Sequence, residues 1–97
     1  MATYVVLGRL TEQGIRSVKD TAQRWQENIS RAQAGGITVK GSYMTMGEYD
    51  AVLVLEAPDE QTALGGLLML GMQGNLRTTT LRAFTLEEVR PILEKLP

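Results

Sequence analysis

Few side chains in this chain of 97 residues can do chemistry, because it contains neither histidine nor cysteine. Without cysteine it has no thiolate nucleophile, no disulfide and no cysteine-ligated metal. Without histidine it has no imidazole base, no Ser-His-Asp triad and no histidine-ligated haem. Carboxylates, arginine, lysine, tyrosine, threonine and the backbone remain. These groups suit ligand binding and, less often, proton transfer.

The segment Gly47-Glu48-Tyr49-Asp50 places a phenol and two carboxylates beside a turn-forming glycine. We predict that it joins residues from other parts of the chain in one ligand site, made of Arg9, Tyr43, Met44, Tyr49, Asp50 and Arg77. Arg9 and Arg77 would hold a carboxylate through forked hydrogen bonds. Tyr43 and Met44 would line the cavity. The predicted ligand is a small anionic or aromatic metabolite.

Turn chemistry alone offers a simpler interpretation of the same segment. Gly47 would reverse the chain, Tyr49 would pack at the end of a hairpin, and Asp50 would accept hydrogen bonds from backbone N–H groups or pair with an arginine. In that case the segment is a corner of the fold and not a site.

Glu56 is a second candidate, since it lies inside an apolar segment where burial would raise the pKa of its carboxyl. It could then act as a base, but a structural pair with Arg82 is the interpretation that we favour. Of the carboxylates of Glu48, Asp50 and Glu56, two would stand at opposite strand ends, too far apart for one ion, so we predict no metal. We also predict no cofactor.

Hydrophobic periodicity predicts the elements that must position these residues. Strands are expected over residues 3–9, 37–46, 50–57 and 76–84, and helices over 12–34, 59–72 and from 85 onward. In the second strand, strict alternation puts Ile37, Val39, Gly41 and Tyr43 on one face. Pro91 falls inside the terminal helix and could kink or split it.

The order β-α-β-β-α-β-(α) predicts one α+β domain over residues 1–97 with a ferredoxin-like fold. Its four-stranded antiparallel sheet would have the order 4-1-3-2, with the helices on one face. This order brings the end of the first strand, the start of the fourth and the hairpin before the third to the same rim. Tyr49 and Asp50 would therefore lie near Arg9 and Arg77.

The other face of such a sheet has no helices to cover it. The third strand, DAVLVLEA, is apolar on both sides, so this face would expose much apolar surface. Exposed patches of this kind usually mark an interface. We therefore predict a homodimer, or a larger homo-oligomer, joined sheet to sheet.

The bulk composition excludes several classes of partner. The net charge is −1 and the ten basic residues are scattered, which argues against a nucleic-acid binder. No apolar run is long enough to span a membrane, and the first residues lack the features of a signal peptide. We expect a cytoplasmic protein.

Several motifs resemble the GYD family of small bacterial and archaeal proteins. They are Gly47-x-Tyr49-Asp50 with Tyr43-x-Thr45-Met46 before it and Glu56-Ala57-Pro58-Asp59 after it, the opening TYVVLGRLTEQGIRSVKDT (3–21) and the closing NLRTTTLRAFTLEE (75–88). The resemblance covers nearly the whole chain. It implies a ferredoxin-like fold of the dimeric α+β barrel type and says little about activity.

The segment TMGEYDAVLVLEAPD is more distantly similar to a hairpin in the ligand-binding domain of Lrp/AsnC regulators. In those proteins a Gly-x-x-Asp hairpin contributes to an amino-acid effector site between subunits. The chain has no helix-turn-helix domain, so a DNA-binding role does not follow from this likeness.

Three functions remain open from the sequence. The first is a homo-oligomeric protein that binds a small molecule at the predicted rim. The second is a cofactor-independent enzyme, such as a monooxygenase or an isomerase, in which a carboxylate or a tyrosine moves protons. The third is an assembly module whose rim only joins subunits.

Overall fold

The computed structural model describes residues 1–97, which form four strands and four α-helices. The strands are β1 (Ala2–Leu10), β2 (Thr38–Met44), β3 (Ala51–Ala57) and β4 (Leu76–Ala83). The α-helices are α1 (Glu12–Arg16), α2 (Thr21–Ala34), α3 (Glu60–Met72) and α4 (Leu86–Glu94), and a 3₁₀ turn spans Val18–Asp20.

The four strands make one antiparallel sheet with the spatial order β2-β3-β1-β4. The predicted α+β fold and the predicted strand order are therefore confirmed. The register pairs Gly8 with Ala51 on one side of β1, and Arg9 with Arg77 on the other. The end of β1, the start of β3 and the start of β4 consequently meet at one rim, which we call the hairpin rim.

The core lies between the sheet and the helices. The residues buried there are Tyr4 and Val6 of β1, Leu55 of β3, Ala63 of α3, and Ile37, which directly precedes β2. Because side chains alternate along a strand, the neighbours of these residues point to the opposite side. We call that side the bare face; it carries Val5, Leu7 and Arg9 of β1, Tyr43 of β2, Val52 and Val54 of β3, and Arg77, Thr79 and Leu81 of β4.

The first helical region is broken, whereas the sequence pattern predicts one helix over 12–34. The Ser17 carbonyl accepts a hydrogen bond from the Asp20 backbone N–H at 3.0 Å and another from the Arg24 guanidinium at 2.9 Å. This carbonyl is thereby taken from the i→i+4 ladder, and the chain makes a 3₁₀ turn before α2 begins. A side-chain contact of this kind leaves no trace in hydrophobic periodicity.

A β-bulge in β2 corrects the alternation predicted for that strand. Val39 pairs with Leu55 and Gly41 pairs with Val54, so Lys40 has no partner in the ladder. One extra residue turns every later side chain to the other face. Tyr43 therefore lies on the bare face, and not on the same side as Val39.

Capping residues set the ends of α3 and α4. Asp59 accepts the Thr62 backbone N–H at 2.7 Å, and this bond lowers the pKa of the Asp59 carboxyl. Thr85 and Glu88 form a capping box, in which the hydrogen bond from the Thr85 backbone N–H lowers the pKa of the Glu88 carboxyl. Pro91 lies within α4 without splitting it.

Two helical glycines offer a test of the packing at the hairpin rim. A Cβ at Gly14 in α1 would lie 2.2 Å from the Asn75 carbonyl oxygen, whereas a Cβ at Gly65 in α3 would meet nothing within 4 Å. Gly14→Ala should lower the free energy of unfolding by about 2 kcal/mol, because backbone atoms must move. Gly65→Ala should raise it by about 0.5–1 kcal/mol. Urea denaturation measures both; equal effects would contradict the close approach of α1 to Asn75.

Candidate functional site

The hairpin between β2 and β3 is held by its own polar groups. Gly47 has φ of 109°, a left-handed conformation that favours glycine. The Thr45 backbone N–H donates to the Asp50 carbonyl at 2.9 Å, and the Thr45 hydroxyl donates to the Tyr49 carbonyl at 2.5 Å. The turn is therefore defined by local chemistry, as the simpler interpretation predicts.

Asp50 ties this hairpin to β1. Its backbone N–H donates to the Gly8 carbonyl at 2.8 Å, and its carboxylate accepts the Leu10 backbone N–H, also at 2.8 Å. The carboxylate thus continues the pairing of β1 and β3 past the last backbone ladder pair. This agrees with the expectation that Asp50 bonds backbone N–H groups, and it gives the residue a structural role.

Arg9 is fixed above the hairpin by three contacts. Its guanidinium lies 2.6 Å from the Glu48 carboxylate, donates to the Glu48 carbonyl at 3.2 Å and stands 4.6 Å from the centre of the Tyr49 ring. The pair is solvent-exposed, so it contributes little to stability. Its effect is to hold the guanidinium, the ring and the turn in one arrangement. Hydrophobic patterning gave no signal for Glu48 as the partner of Arg9.

Arg77 lies directly across the sheet from Arg9. The two side chains share the bare face, as the predicted site requires. Arg9 has Glu48 as its counter-ion, but no carboxylate lies within 4 Å of the Arg77 guanidinium. Like charges opposite each other on adjacent strands repel. The rim therefore keeps one uncompensated positive charge at the end of an apolar surface.

Tyr43 and Met44 do not join this cluster within one chain. Tyr43 is on the bare face, with its ring against Gly41, where a Cβ would be 3.0 Å from the ring. Neighbouring strands lie about 4.8 Å apart. Three such steps separate β2 from β4, so the strand that carries Tyr43 is roughly 14 Å from the strand that carries Arg77. Met44 pairs with Ala51 and lies on the helix-covered face. The structure thus brings together Arg9, Tyr49, Asp50 and Arg77 only.

Contacts between α1 and the start of β4 complete the hairpin rim. The Thr11 backbone N–H donates to the Asn75 carbonyl at 3.0 Å, and the Thr11 hydroxyl donates to the Gly74 carbonyl at 2.5 Å. The Gln13 amide donates to the Asn75 side chain at 3.1 Å. These bonds fix the start of β4 and so fix Arg77 relative to β1.

The predicted pair of Glu56 and Arg82 does not form, because the two side chains lie on opposite faces of the sheet. Glu56 pairs in register with Thr3 on the bare face and lies 4.0 Å from Lys40, the bulged residue. Arg82 is on the helix-covered side, where it lies over the rings of Tyr4 and Phe84. The register of β1 with its two neighbours decides this, and sequence spacing does not contain it.

An apolar cavity on the helix-covered side was missed by the sequence patterns. It lies between α2 and α3 above the sheet, has a volume of about 70 Å³, and is lined by residues such as Trp25, Ile29, Leu53, Leu67 and Leu70. The side-chain amides of Asn28 and Gln73, which also border the cavity, hold the two helices together by a reciprocal pair of hydrogen bonds, 3.2 and 2.7 Å long.

The comparisons with known proteins agree with this architecture. The sequence profile of the GYD domain family matches residues 4–93. The chain belongs to the GYD domain family. A relative from Thermus thermophilus, the "glutamine synthetase and cystathionine beta-lyase binding protein", is 32% identical over 90 residues, which are 92% of this chain and 95% of that protein.

Among solved structures, the crystal structure of FFRP-DM1, an Lrp/AsnC-like chain, superposes with a TM-score of 0.56. The match covers 87% of this chain and all of that one, at 17% sequence identity. At this level of identity the likeness supports the fold alone. The GYD resemblance is confirmed, and the more distant Lrp/AsnC resemblance is confirmed at the level of the fold.

The structure offers neither a carboxylate cluster for a metal ion nor a helix that could span a membrane. No group of three or more acidic residues is placed so that it could hold a metal ion. None of the helices combines the length and the apolar character that a membrane span requires.

Asp50 provides a test of the role that the geometry gives it. Asp50→Ala leaves the Leu10 N–H without an acceptor, which should lower the free energy of unfolding by about 1–3 kcal/mol. Asp50→Asn keeps an acceptor oxygen of the same reach and should cost less than half of that. Chemical denaturation of the two variants measures the difference. Similar losses for Asn and Ala would show that charge, and not the bond to Leu10, matters at this position.

Proposed function

We propose that this GYD domain is a homodimeric binding protein that holds a small anionic or aromatic molecule where the bare faces of two copies meet. The observation that carries the proposal is the pairing of Arg9 and Arg77 on one face, at the edge of an apolar surface. A small anion bound there would supply the negative charge that Arg77 lacks. The cytoplasm remains the proposed location.

The apolar character of the bare face supports the dimer. Val5 and Leu7 of β1 lie beside Val52 and Val54 of β3, and Leu81 of β4 is 49% exposed. Burial of apolar surface contributes about 25 cal/mol per Å². A sheet with helices on one side only can gain this energy on its other side by meeting a second sheet.

The anion site draws its support from the two guanidinium groups. Arg77 is free to turn toward a ligand, whereas Arg9 is already oriented by Glu48 and Tyr49. An arginine binds a carboxylate through two parallel N–H···O bonds. Tyr43 lies on the bare face of each copy. In a dimer joined through these faces, the second copy would bring its Tyr43 ring to the site.

The relative from Thermus supports a second candidate function. Its name describes a protein that binds two enzymes, glutamine synthetase and cystathionine beta-lyase. We propose by analogy that this chain also binds a larger metabolic enzyme. The two candidates are compatible, since a small ligand at the dimer seam could regulate binding to a protein.

The dimer is tested by a charge placed in the centre of the bare face. Wild-type protein at about 10 µM should sediment as a dimer. Val54→Asp should weaken association by about 100-fold or more, because burial of an unpaired carboxylate costs several kcal/mol. Leu64→Asp is the control, since Leu64 is an exposed leucine of α3 on the other side of the sheet. A monomeric wild type would rule out the proposed function.

The anion site is tested with benzoate, which is both a carboxylate and an aromatic compound. Isothermal titration should show binding that Arg77→Gln weakens at least tenfold, as expected for the loss of a charge-assisted hydrogen bond. Arg16→Gln is the matched control, because Arg16 pairs with Glu12 on the exposed side of α1. Equal binding by both variants would remove Arg77 from the site. Native mass spectrometry of the untreated protein reports any molecule that it retains.

A further inference from the structure

The C-terminal helix α4 has an apolar stripe that is mostly exposed, with only Val89 partly buried. Its apolar residues recur at steps of three and four, at Leu86, Val89, Ile92, Leu93 and Leu96 just beyond its end. Leu86 is 69% exposed, and Ile92 and Leu93 are each 53% exposed. This spacing is that of a helix with one face packed against another surface.

The helix stands apart from the rest of the molecule. None of its residues is fully buried, and it makes few contacts with the other elements. Its main tie to the sheet is a 4.0 Å contact between Glu88 and Arg82. The molecule is 52 Å long with a radius of gyration of 14.8 Å, against about 13 Å for a compact domain of 100 residues. The α4 helix therefore extends outward from the body.

Such a helix needs an external partner to be stable. Isolated helices shorter than about 12 residues are marginal in water, and most helical stability comes from packing of the apolar face. The α4 helix has nine residues and a proline within it. The capping box at Thr85 defines where it begins, but does not cover its leucines.

The size of the bare face indicates which partner is missing. Four strands of about seven residues, spaced about 4.8 Å apart, cover roughly 450 Å². A stable interface usually buries about 800 Å² on each partner. One α4 helix, about 14 Å long and 10 Å wide, covers about 140 Å². If each copy both gives its helix and receives the other's, the contact rises by twice that amount and approaches the usual size.

We propose that α4 is an exchanged arm, whose apolar stripe packs on a second copy of this chain and enlarges the interface between the bare faces. The inference rests on the proposed homodimer and deepens it. Continuity supports it: α4 follows β4, whose Leu81 is exposed on the bare face, after only Phe84 and Thr85. Because β4 is an edge strand, a helix that follows it begins at the margin of the sheet, where a second copy on the bare face is within reach.

Two matched leucine pairs test the arm in the full-length chain. Leu86→Glu with Leu93→Glu puts two charges in the stripe, and Leu64→Glu with Leu68→Glu makes the same change at exposed positions of α3. Sedimentation equilibrium should give a dimer dissociation constant at least tenfold higher for the α4 pair and an unchanged one for the α3 pair. Circular dichroism checks that both variants keep the sheet. A dimer unaffected by the α4 pair would overturn the arm and leave the proposed function intact, whereas a monomeric wild type would overturn both.

Lysine cross-linking locates the arm directly, since the chain has only three lysines, at 19, 40 and 95. In a dimer reassembled from ¹⁴N- and ¹⁵N-labelled protein, Lys95 at the end of α4 should give mixed-isotope cross-links to Lys19 or Lys40. Cross-links of Lys95 confined to single chains would show that α4 folds back on its own body, for example over the cavity between α2 and α3. Absence of mixed-isotope products from Lys95 in a proven dimer would also overturn the exchange.

Discussion

A single layer of sheet with helices on one side is the constraint on which the rest of this structure depends. The helices bury one set of alternating side chains, including Tyr4, Val6 and Leu55, and form the core with them. The other set must lie on the bare face, whatever its chemistry, because successive residues of a strand point to opposite sides. In β3 that second set is also apolar. The alternation of side chains that builds the core therefore also creates a large exposed apolar surface. Arg9 and Arg77 lie at the edge of that surface.

The hairpin rim shows how one segment can be structural and still present a site. The Asp50 carboxylate accepts a hydrogen bond from the Leu10 N–H, and Gly47 and Thr45 shape the turn. These contacts hold Glu48 and Tyr49 in place, and they in turn orient Arg9. The polar groups of the turn thus support a guanidinium group and are not themselves the groups that would meet a ligand. The arginine without a carboxylate partner is Arg77, on the neighbouring strand.

Much of the fold could be predicted from local patterns. The apolar pattern predicted α3 and α4, and the order of the elements predicted the sheet. Errors arose where a single extra residue or a single side-chain contact decided the outcome. Lys40 shifts the register of β2 and turns Tyr43 to the bare face, and Arg24 captures the Ser17 carbonyl and breaks the first helix. Neither event changes the hydrophobic period enough to be read from it.

The sequence by itself determined the element types, their order and the apolar character of both sides of β3, because these follow from propensity and from side-chain alternation within short segments. It also brought Arg9, Tyr49, Asp50 and Arg77 to one rim, since the strand order follows from the connections. Only the tertiary structure decided which pairs form: Arg9 with Glu48, Glu56 with Lys40, and Arg82 with the rings of Tyr4 and Phe84. Pairing depends on register and on the face that each side chain occupies, and a slip of one residue reverses the face.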